Sequence, residues 1–244
     1  MTNQRTNGRK LNGHGRVNPD EPAQATLIAV ILDRSGSMGI CRDATIAGFN
    51  QFLQSQRDVR EGGRALVSLT QFNHHYEVNF VGEPIENVPA LDTQSYVPQG
   101  RTALHDAIGR TIHEVEAWVR EHDWQERVLI LIITDGQENA SREYDLHAVH
   151  ALIEGKEREG WNVAYMGANQ DSYAVGGAMG VRSGFTKNYT QSDTGVRDNF
   201  TDLADKARTY RRAKLKGLAA QGFFDAQEQP KAEPPAGRLV PKTR

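Results

Sequence analysis

Thr26-Leu27-Ile28-Ala29-Val30-Ile31-Leu32 is a run rich in β-branched residues, and it leads directly into Asp33-Arg34-Ser35-Gly36-Ser37-Met38. A run of this length without polar alternation predicts a strand that is buried on both faces of a parallel sheet. One carboxylate and two hydroxyls then follow at alternate positions, and the intervening Gly36 allows a tight turn. Three hard oxygens with little net charge suit Mg²⁺ better than Zn²⁺.

Two further segments place an oxygen donor at the end of a predicted element. Gly100-Arg101-Thr102-Ala103-Leu104 puts a Thr in a loop before a helix, and Leu129-Ile130-Leu131-Ile132-Ile133-Thr134-Asp135-Gly136 puts an Asp after a second buried strand. Ligands of doubly wound sheets bind at the carboxyl ends of strands where the winding direction reverses. If the two strands are neighbours at that point, Asp33 and Asp135 emerge side by side and Thr102 closes the third side.

Together these segments resemble the metal-ion-dependent adhesion site of von Willebrand factor A domains, in the stand-alone form found in prokaryotes and phages. The resemblance covers residues 24–213. It implies that Ser35, Ser37 and often Thr102 coordinate Mg²⁺, with Mn²⁺ or Ca²⁺ as alternatives, while Asp33 and Asp135 hold coordinating waters. It also implies an open position on the ion that binds an Asp or Glu of another protein.

The order of strand and helix patterns predicts the fold class. The patterns alternate, which is typical of a mostly parallel sheet with helices on both faces. The strand patterns at 64–72 and 76–81 are separated by only three residues, and a parallel crossover needs about a dozen. We therefore predict an α/β fold: a Rossmann-like, doubly wound sheet of six strands with one antiparallel edge strand. Later strands are expected at 161–166 and 185–189, and a short helix at 171–179.

Net charge, cysteine count and the length of apolar runs indicate which partners and which cellular compartment to expect. The chain has 244 residues and a formal net charge of −2, so its charge gives no reason to expect nucleic acid or a membrane surface as a partner. Cys41 is the only cysteine, which excludes an intrachain disulfide and Cys-rich zinc sites, and we expect it to be buried. No run approaches the roughly 18 apolar residues of a membrane span, and the N-terminus lacks the apolar core of a secretory signal. We therefore expect a cytoplasmic protein. Its oligomeric state is taken to be monomeric by default.

The domain organisation is predicted from local composition. Residues 1–23 are rich in Asn, Gly, Arg and Pro and form a predicted flexible arm, because they have little to bury. Residues 24–213 form one predicted domain, and residues 214–244 a mostly flexible extension. Basic residues near the end of the last helix are expected to form a solvated face; they are Lys206, Arg208, Arg211, Arg212, Lys214 and Lys216.

Each motif segment has a simpler alternative explanation. Asp33, Ser35 and Thr102 can cap helices, and residues 134–136 can form a turn, but their joint occurrence favours the metal site. We expect no enzymatic activity, although a Mg²⁺-dependent phosphate-handling enzyme and a structural scaffold with an unused metal site stay open as alternatives. Four residues flank the site and are expected to be ordinary surface residues, with the selection of partners as the alternative: Arg101, Gln137, Glu138 and Asn139.

Overall fold

The computed structural model describes residues 25–58, 63–123, 127–217 and 222–224. The flexible arm predicted at residues 1–23 lies outside the described residues, as does most of the extension predicted at 214–244. The described part of the chain forms one sheet with helices packed around it, and this arrangement positions the candidate site.

The sheet contains six strands. They are β1 (Ala25–Asp33), β2 (Arg64–Phe72), β3 (Tyr76–Pro84), β4 (Val128–Thr134), β5 (Asn162–Ala168) and β6 (Thr186–Tyr189). The α-helices are α1 (Arg42–Arg57), α2 (Leu104–Glu121), α3 (Leu146–Arg158), α4 (Ser172–Ala178) and α5 (Asp193–Leu215). Two short 3₁₀ helices span Gly36–Cys41 and Ser183–Phe185. The elements predicted at 171–179 and 185–189 are confirmed to within one residue at each end.

The strand order is β3-β2-β1-β4-β5-β6. β3 runs antiparallel to β2, and every other neighbouring pair is parallel. The chain runs outward from β1 to β3 and returns to β4 on the other side of β1, so the winding direction reverses between β1 and β4. There Leu32 pairs with Ile133, which places the next residues, Asp33 and Thr134, level with each other. The predicted six-stranded, doubly wound α/β fold is confirmed.

Strands β1, β4 and β5 lie in the core of the molecule. Every residue of β1, β4 and β5 is buried. Because successive side chains of a strand point to opposite faces, both faces of this sheet must be covered. α1 packs against α5, and α2 packs against α3 and strands β1 to β3. Gly48 of α1 allows the close approach to α5, since a Cβ at this position would overlap the ring of Phe200.

Arg211 lies in the core, so the expectation of a solvated basic face is wrong for this residue. Its side chain is 1% exposed. The guanidinium donates hydrogen bonds to the carbonyl oxygen of Gln56 at 2.8 Å and to that of Gly63 at 2.6 Å. Burial lowers the pKa of Arg211 to about 10. The residue therefore ties α5 to the end of α1 and to the residue before β2.

Two residues from the predicted C-terminal extension also pack on the core. The main-chain amides of Phe223 and Phe224 both donate to the carbonyl oxygen of Gly184 at 2.8 Å. The ring of Phe223 lies 5.9 Å from that of Phe185 and 6.2 Å from that of Tyr210, measured between centroids. Aromatic packing therefore continues past residue 213.

Cys41 is buried at the end of the first 3₁₀ helix, as expected from the sequence. Burial and the nearby carboxylates of Asp193 and Asp135 raise the pKa of its thiol, which disfavours the reactive thiolate. Among the helices that the structure describes, none combines the length and the apolar character needed to cross a bilayer.

Candidate metal centre

Three loops meet at the carboxyl ends of β1 and β4. They are loop 1 (residues 34–41), loop 2 (residues 97–103) and loop 3 (residues 135–145). Main-chain hydrogen bonds join loops 1 and 2. The amide of Gly36 donates to the carbonyl of Gly100 at 3.1 Å, and the amide of Gln99 donates to the carbonyl of Arg34 at 2.8 Å. The two loops are therefore held in a fixed relation before any ligand binds.

Asp33 is buried at the end of β1 and accepts hydrogen bonds on both carboxylate oxygens. Its Oδ1 accepts from the amide of Ser35 at 2.6 Å, and its Oδ2 accepts from the hydroxyl of Thr134 at 2.6 Å. Its carbonyl oxygen accepts from the hydroxyl of Tyr96 at 2.7 Å. These three donors fix both the backbone and the side chain of Asp33.

The two serines of loop 1 connect to Asp135 of loop 3. The hydroxyl of Ser37 donates to Oδ1 of Asp135 at 2.6 Å, and the hydroxyl oxygens of Ser35 and Ser37 lie 3.1 Å apart. Because Ser37 has one hydroxyl proton and gives it to Asp135, the proton between the two serines belongs to Ser35. Each serine oxygen keeps a lone pair that can face a cation.

The hydroxyl of Thr102 lies next to Gly136, close to the side chains of Asp33 and Ser35. A Cβ placed on Gly136 would lie 2.8 Å from Oγ1 of Thr102, and 3.5 Å from both Oδ2 of Asp33 and Oγ of Ser35. Oxygens from three separate parts of the chain therefore lie close together beside Gly136, which has no side chain to push them apart. With Ser37 and Asp135 hydrogen-bonded beside Ser35, the structure brings together the full set predicted from the sequence: Asp33, Ser35, Ser37, Thr102 and Asp135.

Two residues of loop 3 that were expected to be ordinary surface residues hold the loops in place. Oδ1 of Asn139 accepts from the amide of Thr102 at 3.0 Å, and the amide of Asn139 donates back to the carbonyl of Thr102 at 3.0 Å. The carboxylate of Glu138 accepts from the amide of His105 at 3.0 Å and from the hydroxyl of Ser141 at 2.7 Å. The expectation is wrong for Glu138, because its side chain binds loop 3 to the start of α2. Asn139 is exposed, as expected, and its side chain binds loop 3 to loop 2.

Gln191, in the connection between β6 and α5, is a site residue that the sequence analysis missed. Its Nε2 donates to Oδ2 of Asp135, and to the carbonyl of Ser37 at 3.0 Å. Its Oε1 accepts a hydrogen bond from Nδ2 of Asn169. The hydroxyl of Tyr189 donates to the carbonyl of Thr134 at 3.1 Å. No local pattern marks Gln191, since it lies far along the chain from loops 1 and 3.

No protein-family model matches the sequence, and no curated protein matches it. Solved structures are similar at the level of the fold. One of them is proximal thread matrix protein 1 from the mussel byssus, in a structure with a zinc-occupied MIDAS motif. Its TM-score is 0.53 and its sequence identity is 15%, and the match covers 77% of the present chain and 47% of the mussel protein. A von Willebrand factor type A protein from Catenulispora acidiphila has a TM-score of 0.50 and 14% identity over 79% of this chain and 43% of its own.

The fold is that of a von Willebrand factor type A domain. Manganese-loaded TRAP protein from Plasmodium vivax shares it, with a TM-score of 0.51 and 14% identity over 80% of this chain and 75% of its own. The present chain matches less than half the length of the mussel and Catenulispora proteins. At such low identity the likeness establishes the shared architecture alone.

Burial perturbs both acids of this type A fold. Desolvation raises the pKa of Asp33 to about 6, although the hydrogen bonds from Thr134 and Ser35 act in the opposite direction. Desolvation also raises the pKa of Asp135, against the hydrogen bonds from Ser37 and Gln191. Neither acid forms an ion pair with a Lys or Arg of the described residues. Two desolvated carboxylates without a cationic partner favour an added cation.

The donor set fits a hard divalent ion. Within the described residues, no three His, Cys, Asp or Glu side chains are grouped closely enough to hold a metal by themselves. The site instead combines two carboxylates with three hydroxyls, which are Ser35, Ser37 and Thr102. Oxygen-only donors of low total charge suit Mg²⁺, Mn²⁺ or Ca²⁺, whereas Zn²⁺ favours nitrogen and sulfur.

Proposed function

We propose that this chain is a metal-dependent protein-interaction module in which a bound Mg²⁺ accepts an Asp or Glu carboxylate from another protein. The observation that carries this proposal is the convergence of oxygens from Asp33, Ser35 and Thr102 beside Gly136, next to the hydrogen-bonded pair of Ser37 and Asp135. Oxygen donors that come from separate parts of the chain and lie this close together are suited to an ion. Mn²⁺ or Ca²⁺ would satisfy the same oxygens.

The residues divide into two roles in this proposal. Ser35, Ser37 and Thr102 would hold the ion through their hydroxyl oxygens. Asp33 and Asp135 would hold waters of the ion and offset its charge. Because neutral hydroxyls leave the ion with little direct negative charge, it would supply an electrophilic position that favours an incoming carboxylate over water.

The structural neighbours support a divalent ion and a role outside catalysis. The mussel byssus protein has a zinc-occupied MIDAS motif, and the Plasmodium vivax TRAP protein is manganese-loaded. The hydroxyl-rich donor set of the present site supports Mg²⁺, since Mg²⁺ keeps several waters and needs few carboxylates. The single cysteine supports a reducing, cytoplasmic setting for this protein.

Affinity capture tests the proposal. Tagged protein is incubated with lysate of the producing cell in excess MgCl₂ or in excess chelator, and the Asp33→Asn variant is run in parallel. We expect a partner that is retained only by the wild type in Mg²⁺, and that is lost when one Asp or Glu on the partner is replaced. Asp198→Ala, which removes an exposed carboxylate on α5, is the matched control.

The outcomes separate the proposed function from its alternatives. Retention of the same partner in chelator and by Asp33→Asn would overturn the metal-bridged interaction. Magnesium-dependent release of phosphate from a phosphate ester would instead favour the phosphate-handling enzyme. Folding of Asp33→Asn is checked by its thermal unfolding, so that loss of binding is not confused with loss of structure.

A further inference from the structure

An exposed apolar side chain lies beside the candidate ion site. Ser37 and Ile40 are three residues apart in the 3₁₀ helix of loop 1, where side chains at this spacing eclipse each other. A rise of about 2 Å per residue puts them about 6 Å apart along the helix axis. Ile40 is 73% exposed. A large apolar group is therefore presented to solvent on the same face as a hydroxyl of the site.

Loop 2 extends this apolar surface. Val97 is 42% exposed, and the next residue, Pro98, approaches loop 1: a Cβ on Gly39 would lie 4.0 Å from Cβ of Pro98. Gly39 thus brings the Val97–Pro98 end of loop 2 against the turn that carries Ile40. We call Ile40, Val97 and Pro98 the apolar rim of the site.

The other end of loop 2 is basic. Arg101 directly precedes Thr102, is exposed, and forms no ion pair within the described part of the chain. Arg34 in loop 1 is instead neutralised by Glu77, with 2.7 Å between the charged atoms. A divalent ion would offset the charges of Asp33 and Asp135, so the charge of Arg101 would stand next to the bound ion without an acidic partner among the described residues. Charge complementarity therefore favours an acidic side chain opposite Arg101.

We propose that the partner segment that supplies the carboxylate also carries a bulky apolar side chain that packs on the apolar rim, and a second acidic side chain that faces Arg101. This inference rests on the proposed function and specifies the chemistry of its partner. In this arrangement the first carboxylate binds the metal, the apolar side chain buries surface against the apolar rim, and the second carboxylate pairs with the charge of Arg101. Since apolar contact and charge pairing are independent, each is expected to respond to its own substitution.

Peptide selection tests the inference while the partner is unidentified. Short random peptides with one fixed Asp are displayed, selected on the immobilised protein in MgCl₂, and eluted with chelator. For the wild type we expect enrichment of Leu, Ile or Phe near the fixed Asp, together with a second Asp or Glu. Ile40→Ser should remove the apolar preference, and Arg101→Gln should remove the preference for a second acid.

Two controls accompany the selection. Val78→Ser removes an exposed apolar side chain from the edge strand β3 and should leave the selected sequences unchanged. Titration with Mg²⁺ alone should give the same affinity for Ile40→Ser as for the wild type, and no loss of affinity for Arg101→Gln, because that variant removes a positive charge near the cation. The best synthetic peptide should bind Ile40→Ser about tenfold more weakly than wild type, which corresponds to loss of one partly buried aliphatic contact.

Failure of the inference and failure of the proposed function give different results. If chelator elutes Asp-containing peptides whose neighbours are random, or if Ile40→Ser selects the same peptides as wild type, the apolar rim plays no part and the inference is wrong. If no peptide depends on Mg²⁺ in any variant, the metal-bridged function itself is wrong and the inference falls with it.

Discussion

The hydroxyl of Thr134 donates a 2.6 Å hydrogen bond to Oδ2 of Asp33, although the two residues are 101 positions apart in the chain. The contact exists because β1 and β4 are parallel neighbours whose register ends with Leu32 opposite Ile133. The last residue of β4 therefore faces the last residue of β1. Thr134 is a β-branched residue, a type that strands favour, and its hydroxyl orients the buried acid of the candidate site.

Replacing Thr134 with Val should destabilise the protein by about 2 kcal/mol. The variant keeps the shape of the side chain and leaves one buried carboxylate oxygen without its hydroxyl donor, and a hydrogen bond to a charged group is worth about that much. Chemical denaturation measures the difference. Thr26→Val is the matched control, because Oγ1 of Thr26 is buried in the same sheet and has no hydrogen-bond partner among the described residues. Equal losses in the two variants would contradict the role of Thr134.

The metal-free protein should become less stable as the pH rises through the pKa of Asp33. Desolvation raises that pKa from 3.8 to about 6, so the folded state binds the proton more tightly than the unfolded state does. Ionisation between about pH 4 and pH 7 therefore lowers the free energy of unfolding, by about 3 kcal/mol from this group. Urea denaturation in chelator at several pH values measures the slope.

Asp33→Asn supplies the reference for this pH dependence. An Asn side chain cannot ionise, and the hydroxyl of Thr134 can accept from its amide, so this contribution to the pH slope should be absent. Saturating Mg²⁺ should restore stability to the wild type above pH 6, by about 2.7 kcal/mol at one hundred times the dissociation constant. Identical slopes for the wild type and Asp33→Asn in chelator would show that Asp33 does not titrate in this range.

Gly136→Ala should abolish Mg²⁺ binding while the protein stays folded. The added methyl group would lie 2.8 Å from Oγ1 of Thr102, so it would push this hydroxyl away from the other site oxygens. Isothermal titration with MgCl₂ measures the loss. Gly155→Ala, in α3, is the matched control: nothing lies within 4 Å of its added Cβ, so it should bind Mg²⁺ normally and gain up to about 1 kcal/mol of helix stability. Unchanged affinity in Gly136→Ala would place the ion elsewhere.

Gln191→Ala should weaken Mg²⁺ binding more at the lower of two pH values than at the higher. The amide of Gln191 donates to Asp135 and opposes the rise in its pKa that burial causes. Without this donor the carboxyl keeps its proton to a higher pH, and a protonated Asp135 no longer offsets the charge of the ion. Titrations at the two pH values measure the effect, with Gln51→Ala on the exposed face of α1 as control. A loss that is independent of pH would contradict this role.

Arg211→Met should destabilise the fold without changing Mg²⁺ affinity. The variant removes donors to the carbonyls of Gln56 and Gly63 and leaves both acceptors unpaired, at a cost of about 2–4 kcal/mol. It also removes a buried cation, which offsets part of that loss. Thermal unfolding and isothermal titration measure the two effects separately. A parallel change in metal affinity would mean that α5 and the site are coupled.

Much of the architecture follows from patterns that are local in the sequence. The apolar runs that end at Leu32 and Ile133 identify the central strands, and the short break before Tyr76 identifies the antiparallel edge. The acids and hydroxyls at those strand ends fall together because the winding direction reverses there. Local patterns are sufficient here because hydrophobic periodicity and loop length carry this information directly.

Residues whose role depends on strand register or long-range burial cannot be predicted in the same way. The sequence places Thr134 only in a possible turn, yet with the register known its position opposite Asp33 follows at once. Gln191 reaches Asp135 from a connection that bears no motif. Arg211 is one of several basic residues near the end of α5, and only the packing of α1 against α5 distinguishes it from its solvated neighbours.

The main-chain bonds between loops 1 and 2, and the paired bonds between Thr102 and Asn139, have a kinetic consequence. Because the coordinating loops are already ordered, a cation need not wait for the polypeptide to rearrange. The speed of loading is then set by how readily the ion sheds its own water shell. Ca²⁺ should enter and leave quickly, whereas Mg²⁺, which dehydrates reluctantly, should exchange slowly and remain in place through many encounters with partners.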